Sequence, residues 1–142
     1  CDFQIISETS KCAFSFVNIG FVPDSGAACL VTRAVGTTRA KDLFMSGRFF
    51  SGKDAADWGL FTEAVPAEEL EERVMKYVKK YSSGPSVAYA GIKTVINRAQ
   101  FAAYADAMQA EIDAQGECEL TEDFPEAVTA FLEKRRPQFK GK

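Results

Sequence analysis

The feature of this sequence that most constrains its fold is a change of pattern at Pro66. After Pro66, apolar residues recur every three or four positions, as they do in amphipathic helices. Before it, the runs suited to β-strands are few and short: residues 3–7, 12–17, 48–51 and 60–65. Because so few strands cannot form a self-contained sheet, the pattern predicts one part of a larger α/β fold. We expect all strands within residues 1–65 and only helices within residues 66–142.

Glycine and proline residues mark the expected ends of the helices. One helix is expected to begin after Asp24 and to end at Gly36, and the next to end at Gly47. The run "GKDAADWG" predicts a brief third helix. The second half should contain four helices: one from Pro66, one after the break "SSGPS", an alanine-rich one over residues 101–116, and a last one capped by Thr121 or Asp123.

Composition excludes several kinds of site. The net charge of −3 gives no general attraction to nucleic acid or to an anionic membrane, and no apolar run in the sequence is long enough to cross a bilayer. The sequence has no histidine, so it cannot itself supply a Ser-His-Asp or Cys-His pair or a His-ligated zinc or haem. It also lacks the glycine-rich phosphate loops of nucleotide-binding folds. Proton transfer must therefore use carboxylates, Lys, Tyr or Cys.

The four cysteines indicate a reducing compartment. Their spacing matches neither a zinc site nor a dense disulfide framework: they are Cys1, Cys12, Cys29 and Cys118. We therefore expect reduced thiols, a cytoplasmic location and no bound metal.

Asp24 is the lone acid of an otherwise apolar run, "AFSFVNIGFVPDSGAACL". Its position before Ser-Gly-Ala-Ala suits a helix cap, which contributes about 1 kcal/mol. It also suits an acid or base made stronger by partial desolvation among its apolar neighbours, although a helix N-terminus would favour the anion. Those neighbours are expected to be Phe14, Phe16, Phe21 and Val22. The residues by themselves favour the cap, and the two roles exclude each other only in part.

Four stretches, in this order, resemble the enoyl-CoA hydratase/isomerase (crotonase) family: "CDFQIISETSKCAF", "IGFVPDSGA", "LVTRAVGTTRAKDLFMSGRFFSGKDAADWGLFTEAVP" and "EAVTAFLEKRRPQFKG". The resemblance spans the whole chain and implies the C-terminal half of a longer protein. Residues 1–65 would then be the last part of a spiral of ββα units. Residues 66–142 would be a helical region that forms trimer contacts and covers CoA.

The resemblance also implies a chemistry. In the family, two backbone N–H groups hold the thioester oxygen, and both would lie before "CD", outside these residues. Since the loss of one such donor costs about 2.7–4 kcal/mol of transition-state stabilisation, these residues alone should be a poor catalyst. A glutamate of the family's hydratases would fall at Phe16, which argues against hydration. Asp24 falls where the family's isomerases place an acid, so the resemblance favours Asp24 as a catalytic acid/base that moves a proton between two carbons.

The resemblance further suggests residues that bind substrate. Ser15, Phe16 and Ile19 match positions that line the acyl pocket, although they could equally be ordinary core residues. The last helix and the tail can approach CoA through Lys134, Arg135, Phe139 and Lys140, although these also suit a solvated basic helix end. CoA would be part of the substrate, an acyl-CoA thioester, and no separate cofactor is expected. The alanine-rich helix suits a homotrimer or a dimer of trimers.

Three functions therefore stay open. The leading hypothesis is an enoyl-CoA isomerase that uses Asp24, and the alternative within the same family is an enoyl-CoA hydratase. The third is a catalytically silent fragment that binds CoA esters or serves assembly. One departure bears on the substrate: the family commonly has paired glycines where this sequence has Gly26, Ala27 and Ala28.

Overall fold

The computed structural model describes residues 1–100 and 103–140, and the side chains of all of these except 87, 98, 99, 106, 107 and 110. The strands are β1 (Ile5–Ser7), β2 (Lys11–Cys12), β3 (Phe50–Ser51) and β4 (Glu63–Val65). The α-helices are α1 (Ala27–Val35), α2 (Thr37–Ser46), α3 (Gly52–Asp57), α4 (Leu70–Ser82), α5 (Ser86–Gln100), α6 (Tyr104–Glu119) and α7 (Asp123–Leu132). Two 3-10 helices cover Ser15–Ile19 and Ala67–Glu69.

The change of pattern at Pro66 is confirmed within the described residues. All four strands precede Pro66, and the residues described after it form helices and connecting segments. The expected helix ends at Gly36 and Gly47 are also confirmed. Gly47 has a φ of 58°, in the left-handed region that favours glycine, and its N–H donates to the carbonyl oxygen of Leu43. None of the described helices has the length and apolar character that crossing a membrane requires.

The described contacts divide the chain into two units, each built from two separate segments. The first unit consists of residues 1–12 and 50–104, and the second of residues 13–49 and 105–142. The expected division of the chain into residues 1–65 and 66–142 concerns a longer fold and stays a prediction.

The first unit contains two small sheets. β1 pairs in parallel with β4, with Ile5 opposite Glu63 and Ser7 opposite Val65. β2 pairs in antiparallel with β3. Helix α4 packs on β1. Just before β1, Phe3 stacks on Tyr81 of α4 with a ring-centroid separation of 4.4 Å. Each of these sheets has two strands, which agrees with the scarcity of strand-forming runs in the sequence.

The chain enters α3 at a tight junction within the first unit. Ser51 caps α3, because its Oγ accepts the N–H of Asp54 at 3.0 Å while the Asp54 carboxylate accepts the N–H of Ser51 at 3.1 Å. Gly52 follows and is buried. A Cβ at this position would overlap the carbonyl oxygen of Ser7, so the end of β1 can approach α3 this closely only because residue 52 has no side chain.

The second unit packs the N-terminal 3-10 helix against α2 and α7. Its buried apolar residues are Val31, Ala40, Leu43, Ala127 and Ala130. Two aromatic pairs join its elements: Phe14 meets Phe44 edge-on at 5.0 Å, and Phe21 stacks on Phe124 at 4.3 Å.

Two local expectations differ from the structure. The extended segment expected over residues 12–17 is wrong beyond Cys12, because Ser15–Ile19 forms a 3-10 helix. The N–H of Phe21 donates to the carbonyl oxygen of Phe16 at 3.0 Å, so the backbone hydrogen bonds of this segment are local rather than part of a sheet. Within the alanine-rich helix expected over residues 101–116, residues 101 and 102 lie outside the described residues, and α6 begins at Tyr104.

The junction at Gly52 generates a prediction for stability. Gly52→Ala should lower the free energy of unfolding by about 1–3 kcal/mol, because the added methyl group must displace the backbone of β1. The matched control is Gly91→Ala on α5, where an added Cβ meets nothing within 4 Å. That change should raise the free energy of unfolding by about 0.5–1 kcal/mol. Urea unfolding of both variants checks this, and effects of the same sign would contradict the packing at Gly52.

Candidate active site around Asp24

Asp24 lies in a turn between the 3-10 helix and α1. The carbonyl oxygen of Asp24 accepts the N–H of Ala27 at 2.8 Å. The two residues between them, Ser25 and Gly26, both have left-handed backbones, with φ angles of 55° and 79°. Glycine adopts this conformation without cost, whereas for Ser25 it costs roughly 1–2 kcal/mol. The turn therefore needs support from its surroundings.

Asp24 is not the side-chain cap of α1, which corrects the first role considered for it. The residue at the N-cap is Gly26, and no side-chain cap within the helix start is present. The carboxylate of Glu111, on α6, takes this role: the Gly26 N–H donates to Oε2 at 2.6 Å and the Ala28 N–H donates to Oε1 at 2.9 Å. The first N–H groups of a helix have no partner within the helix, and here an acid from another helix satisfies two of them.

Glu111 is a functional candidate that the sequence did not reveal. It is only 7% exposed, and the residue that it caps lies 85 positions earlier in the chain. Gln115, one helical turn further along α6, donates from Nε2 to the carbonyl oxygen of Val22 at 3.0 Å. The available signal was the helical spacing of Glu111 and Gln115, which places both on one face without showing what that face contacts.

The side chain of Asp24 is half-buried and lines an open cleft of about 410 Å³. The other lining residues are Ser25 and one face of α6: Met108, Glu111, Ile112, Gln115, Gly116 and Glu119. The volume is within the usual range for small-molecule sites. Within residues 1–100 and 103–140, no hydrogen bond or ion pair engages the Asp24 carboxylate. Such a carboxylate can accept and return a proton at the edge of an apolar wall.

The predicted acyl-pocket residues all lie on the first 3-10 helix. Ser15 is exposed, and Phe16 and Ile19 are half-buried. The described lining of the Asp24 cleft includes none of these three. The apolar part of that lining comes from Met108 and Ile112 on α6.

The described lining of the Asp24 cleft includes none of the four apolar neighbours expected there, which are Phe14, Phe16, Phe21 and Val22. Two of them pair with other rings of the second unit: Phe14 contacts Phe44, and Phe21 stacks on Phe124. The apolar part of the cleft comes instead from α6, a helix that is distant in sequence.

The predicted CoA-contacting residues follow α7 on a tail that folds back along it. The chain turns at Lys134, whose φ is 55°. The Arg135 guanidinium donates to both carboxylate oxygens of Glu126, at 2.6 and 3.0 Å. The N–H of Lys140 donates to Asp123 Oδ1 at 2.6 Å, and its Nζ lies 3.3 Å from Glu122 Oε2.

These contacts separate the four tail candidates into two kinds. Arg135 and Lys140 are ion-paired with carboxylates of α7 and the residue before it. Lys134 is exposed, and the ring of Phe139 is about half exposed. The tail therefore presents Lys134 and Phe139 from a backbone that is fixed to α7, and the described lining of the Asp24 cleft includes neither.

The electrostatic centre of this tail is Glu126. The hydrogen bonds from the Arg135 guanidinium and from the backbone N–H of Gln138 lower the pKa of the Glu126 carboxyl to about 2. The pKa of Arg135 is correspondingly raised, chiefly by its hydrogen bond to Glu126.

Comparison with known proteins places these features in one family. A family model described as enoyl-CoA hydratase/isomerase matches residues 1–142. The trans-2-decenoyl-acyl-carrier-protein isomerase of Streptococcus mutans is 35% identical over 141 residues, and the 1,2-epoxyphenylacetyl-CoA isomerase of Escherichia coli is 31% identical over 141 residues. Both alignments include 99% of this chain and 54% of the relative, so the chain spans about half the length of these relatives.

A solved structure agrees with the sequence relatives. The crystal structure of an enoyl-CoA hydratase from Mycobacterium avium subsp. paratuberculosis superimposes with a TM-score of 0.93 and 38% identity. The match covers 99% of this chain and 57% of that one.

The ion pair of the tail generates a prediction for pH dependence. The pKa of Glu126 lies near 2 in the folded protein, below the ordinary 4.5, so its contacts stabilise the fold above pH 4.5 and are lost as the pH falls toward 2. Glu126→Gln should therefore lower stability at pH 6, and the difference from the wild type should shrink between about pH 4.5 and 2. Urea unfolding at stepped pH measures this difference.

The control for this prediction is Glu133→Gln. Glu133 accepts a single hydrogen bond from Arg135 Nε and is more exposed than Glu126, so its removal should matter less. A wild-type-to-Glu126→Gln difference that stays constant from pH 6 to pH 2 would rule out the assigned ion pair.

Proposed function

The chain belongs to the enoyl-CoA hydratase/isomerase family, and on this premise we propose that it supplies the proton-transferring acid of an enoyl-thioester isomerase. The observation that carries the proposal is the carboxylate of Asp24. It is half-buried, it lines a cleft with an apolar wall, and no described residue bonds to it. Since another carboxylate caps α1, Asp24 is available for chemistry.

The reaction needs one positioned group that moves one proton. From a 3-enoyl thioester, the Asp24 carboxylate accepts the α-proton, and the C–H electrons form a dienolate whose charge rests on the thioester oxygen. The same carboxyl then returns the proton to the γ-carbon, which leaves the double bond next to the carbonyl. The reverse direction removes a γ-proton and protonates the α-carbon. Proton transfer by a positioned side chain is worth roughly 100- to 10,000-fold in rate.

The stabilisation of the thioester oxygen belongs to the rest of the proposed enzyme. By resemblance to the family, the N–H groups that hold this oxygen come from a segment that precedes Cys1 in the longer protein. Such donors stabilise the negative charge that develops on this oxygen, and they are effective because they already point toward it before the reaction begins. In the proposed mechanism, Asp24 of this chain therefore transfers the proton, and N–H groups of the rest of the enzyme stabilise the negative charge on the thioester oxygen.

Hydration is the second candidate, and one observation favours it. Glu119 lines the same cleft as Asp24, and unlike Glu111 it does not cap α1, so a further carboxylate is at hand for the water that hydration must activate. The solved structure described above is named an enoyl-CoA hydratase. Against hydration stands Phe16, which occupies the position where the family's hydratases are expected to carry a glutamate. A catalytically silent fragment that binds CoA esters is the third possibility, and it would turn over no enoyl thioester.

The proposal also covers the molecule that carries the acyl group and the oligomeric state of the enzyme. One relative is named for an acyl-carrier-protein substrate and another for a CoA substrate, so we propose a thioester on one of these two carriers, with CoA favoured by Lys134 and Phe139. A cytoplasmic homotrimer or dimer of trimers is proposed as well. Its support is the apolar face of α5, where Ile92, Val95 and Ile96 are all more than half exposed.

Replacement of Asp24 tests the reaction. In the full-length protein, Asp24→Asn should lower kcat for the isomerisation of 3-enoyl-CoA by about 100- to 10,000-fold, because the amide cannot carry the proton. The matched control is Glu119→Gln, the exposed carboxylate of the same cleft, which should keep most of the activity. Chromatography of the products separates 2-enoyl from 3-hydroxyacyl thioesters.

The outcomes of this test separate the three functions. With a 2-enoyl thioester as substrate, accumulation of a 3-hydroxyacyl product that depends on Glu119 would establish hydration instead. Unchanged turnover in Asp24→Asn would remove Asp24 from the mechanism. No turnover of any enoyl thioester by the wild type would favour the silent binding fragment.

Replacement of Lys134 tests the carrier. Lys134→Ala should raise the KM for a CoA thioester by about 2- to 5-fold, the usual value of one exposed ion pair, and should leave kcat unchanged. The control is Lys79→Ala, an exposed lysine in the last turn of α4. Equal KM values for wild type and Lys134→Ala would show that Lys134 does not contact CoA, and a lower KM for the same acyl group on acyl carrier protein would identify that carrier.

A further inference from the structure

Two side chains of α6 hold the turn of Asp24 on both of its sides. After Asp24, the carboxylate of Glu111 accepts the N–H groups of Gly26 at 2.6 Å and of Ala28 at 2.9 Å. Before Asp24, the Gln115 amide donates to the carbonyl oxygen of Val22 at 3.0 Å. The two anchored residues that flank Asp24 most closely, Val22 and Gly26, are each two positions from it.

From this arrangement we infer that Glu111 and Gln115 are positioning residues, which set where the Asp24 carboxylate lies in its cleft. The inference rests on the proposed role of Asp24 in proton transfer. Residues 111 and 115 are one helical turn apart, so they project from the same face of α6 and act on the same short turn. Both anchors belong to α6, so the position of the turn follows the position of this helix.

The turn needs such anchors because of its backbone. Ser25 and Gly26 both lie in the left-handed region, and a serine keeps this conformation only where its surroundings impose it. Without the two side chains of α6, the segment from Val22 to Ala28 would lose one hydrogen bond at one end and two at the other. We expect Asp24 to move within the cleft as a result.

The chemistry of each anchor suits its place. The first N–H groups of α1 and the dipole of the helix favour a negative charge, which Glu111 supplies through two oxygens. A glutamine at position 111 would offer one acceptor oxygen and turn an N–H2 group toward the second backbone N–H. Gln115 faces a carbonyl oxygen, so it must donate, and its amide does so.

The consequence for catalysis is a loss of rate more than of binding. A displacement of a catalytic group by about 1 Å can cost on the order of 100-fold in rate. In the full-length enzyme, Glu111→Gln should lower kcat by about 10- to 100-fold and change KM by less than about 3-fold. Gln115→Met, which keeps the length of the side chain and removes its donor, should have the same effect to a smaller degree.

Matched controls are available on the same helix. Gln109 and Asp113 are exposed, and Gln109 Nε2 donates to Asp113 Oδ1 at 2.9 Å. Gln109→Met and Asp113→Asn therefore repeat the same chemical changes on α6 away from the turn of Asp24. Both should leave kcat and KM at the wild-type values.

Two measurements separate positioning from mere stabilisation. With enzyme that remains folded, hydrogen exchange of at least one of the Gly26 and Ala28 amides should become about 10-fold faster in Glu111→Gln, because a glutamine offers one acceptor oxygen for these two N–H groups. In kinetics, the double variant Asp24→Asn with Glu111→Gln should be no slower than Asp24→Asn alone, because Glu111 acts through Asp24.

Each outcome decides the inference. Faster amide exchange with unchanged kcat, or a double variant that is slower by the product of both effects, would overturn the positioning role. Unchanged exchange would overturn the hydrogen bonds themselves. If Glu111→Gln does not fold, the kinetics of Gln115→Met, alone and combined with Asp24→Asn, decide. A wild type without turnover would refute the proposed function and the catalytic part of this inference together, and exchange alone would then show whether Glu111 holds the turn.

Discussion

The turn that carries Asp24 depends on one buried interaction, the hydrogen bonds from the first turn of α1 to the carboxylate of Glu111. These bonds join the second unit's two chain segments, residues 13–49 and 105–140, at a point that is almost closed to solvent. A hydrogen bond to a charged group contributes about 1.5–3 kcal/mol, and an unpaired buried partner costs a similar amount. The interaction has a second effect, because a helix that Glu111 caps does not need Asp24 as its cap.

Local signals predicted much of the fold. Gly36 and Gly47 end helices as expected, and the strand runs near Ile5 and Ala64 were found because β-prone residues cluster there. The 3-10 helix at Ser15–Ile19 was missed because its aromatic and β-branched residues are those that strands also favour. Which structure such a run adopts depends on whether a partner strand accepts its N–H groups, and the sequence does not show that partner.

The sequence predicted one residue of the candidate site, Asp24, but not the residues that surround it. Asp24 stood out because it is the lone acid of an apolar run, and it does line a cleft. The walls of the cleft come from α6, whose alanine-rich sequence indicates a packing surface and no chemistry. Helical spacing shows that Met108, Ile112 and Gln115 share a face, but a contact across more than 80 residues has no signature in a single sequence.

The same face of α6 therefore serves two tasks that other arrangements would keep apart. Glu111 and Gln115 hold the turn of Asp24, while Ile112, between them in sequence, lines the cleft beside Asp24, where the proposed substrate would bind. Ile112 is 61% exposed, so its side chain faces the open cleft. Gly116 lies one helical turn further along the same wall, and a Cβ added at this position meets nothing within 4 Å. A small side chain at position 116 would therefore narrow the cleft without touching Glu111 or Gln115, the two residues that hold the turn of Asp24.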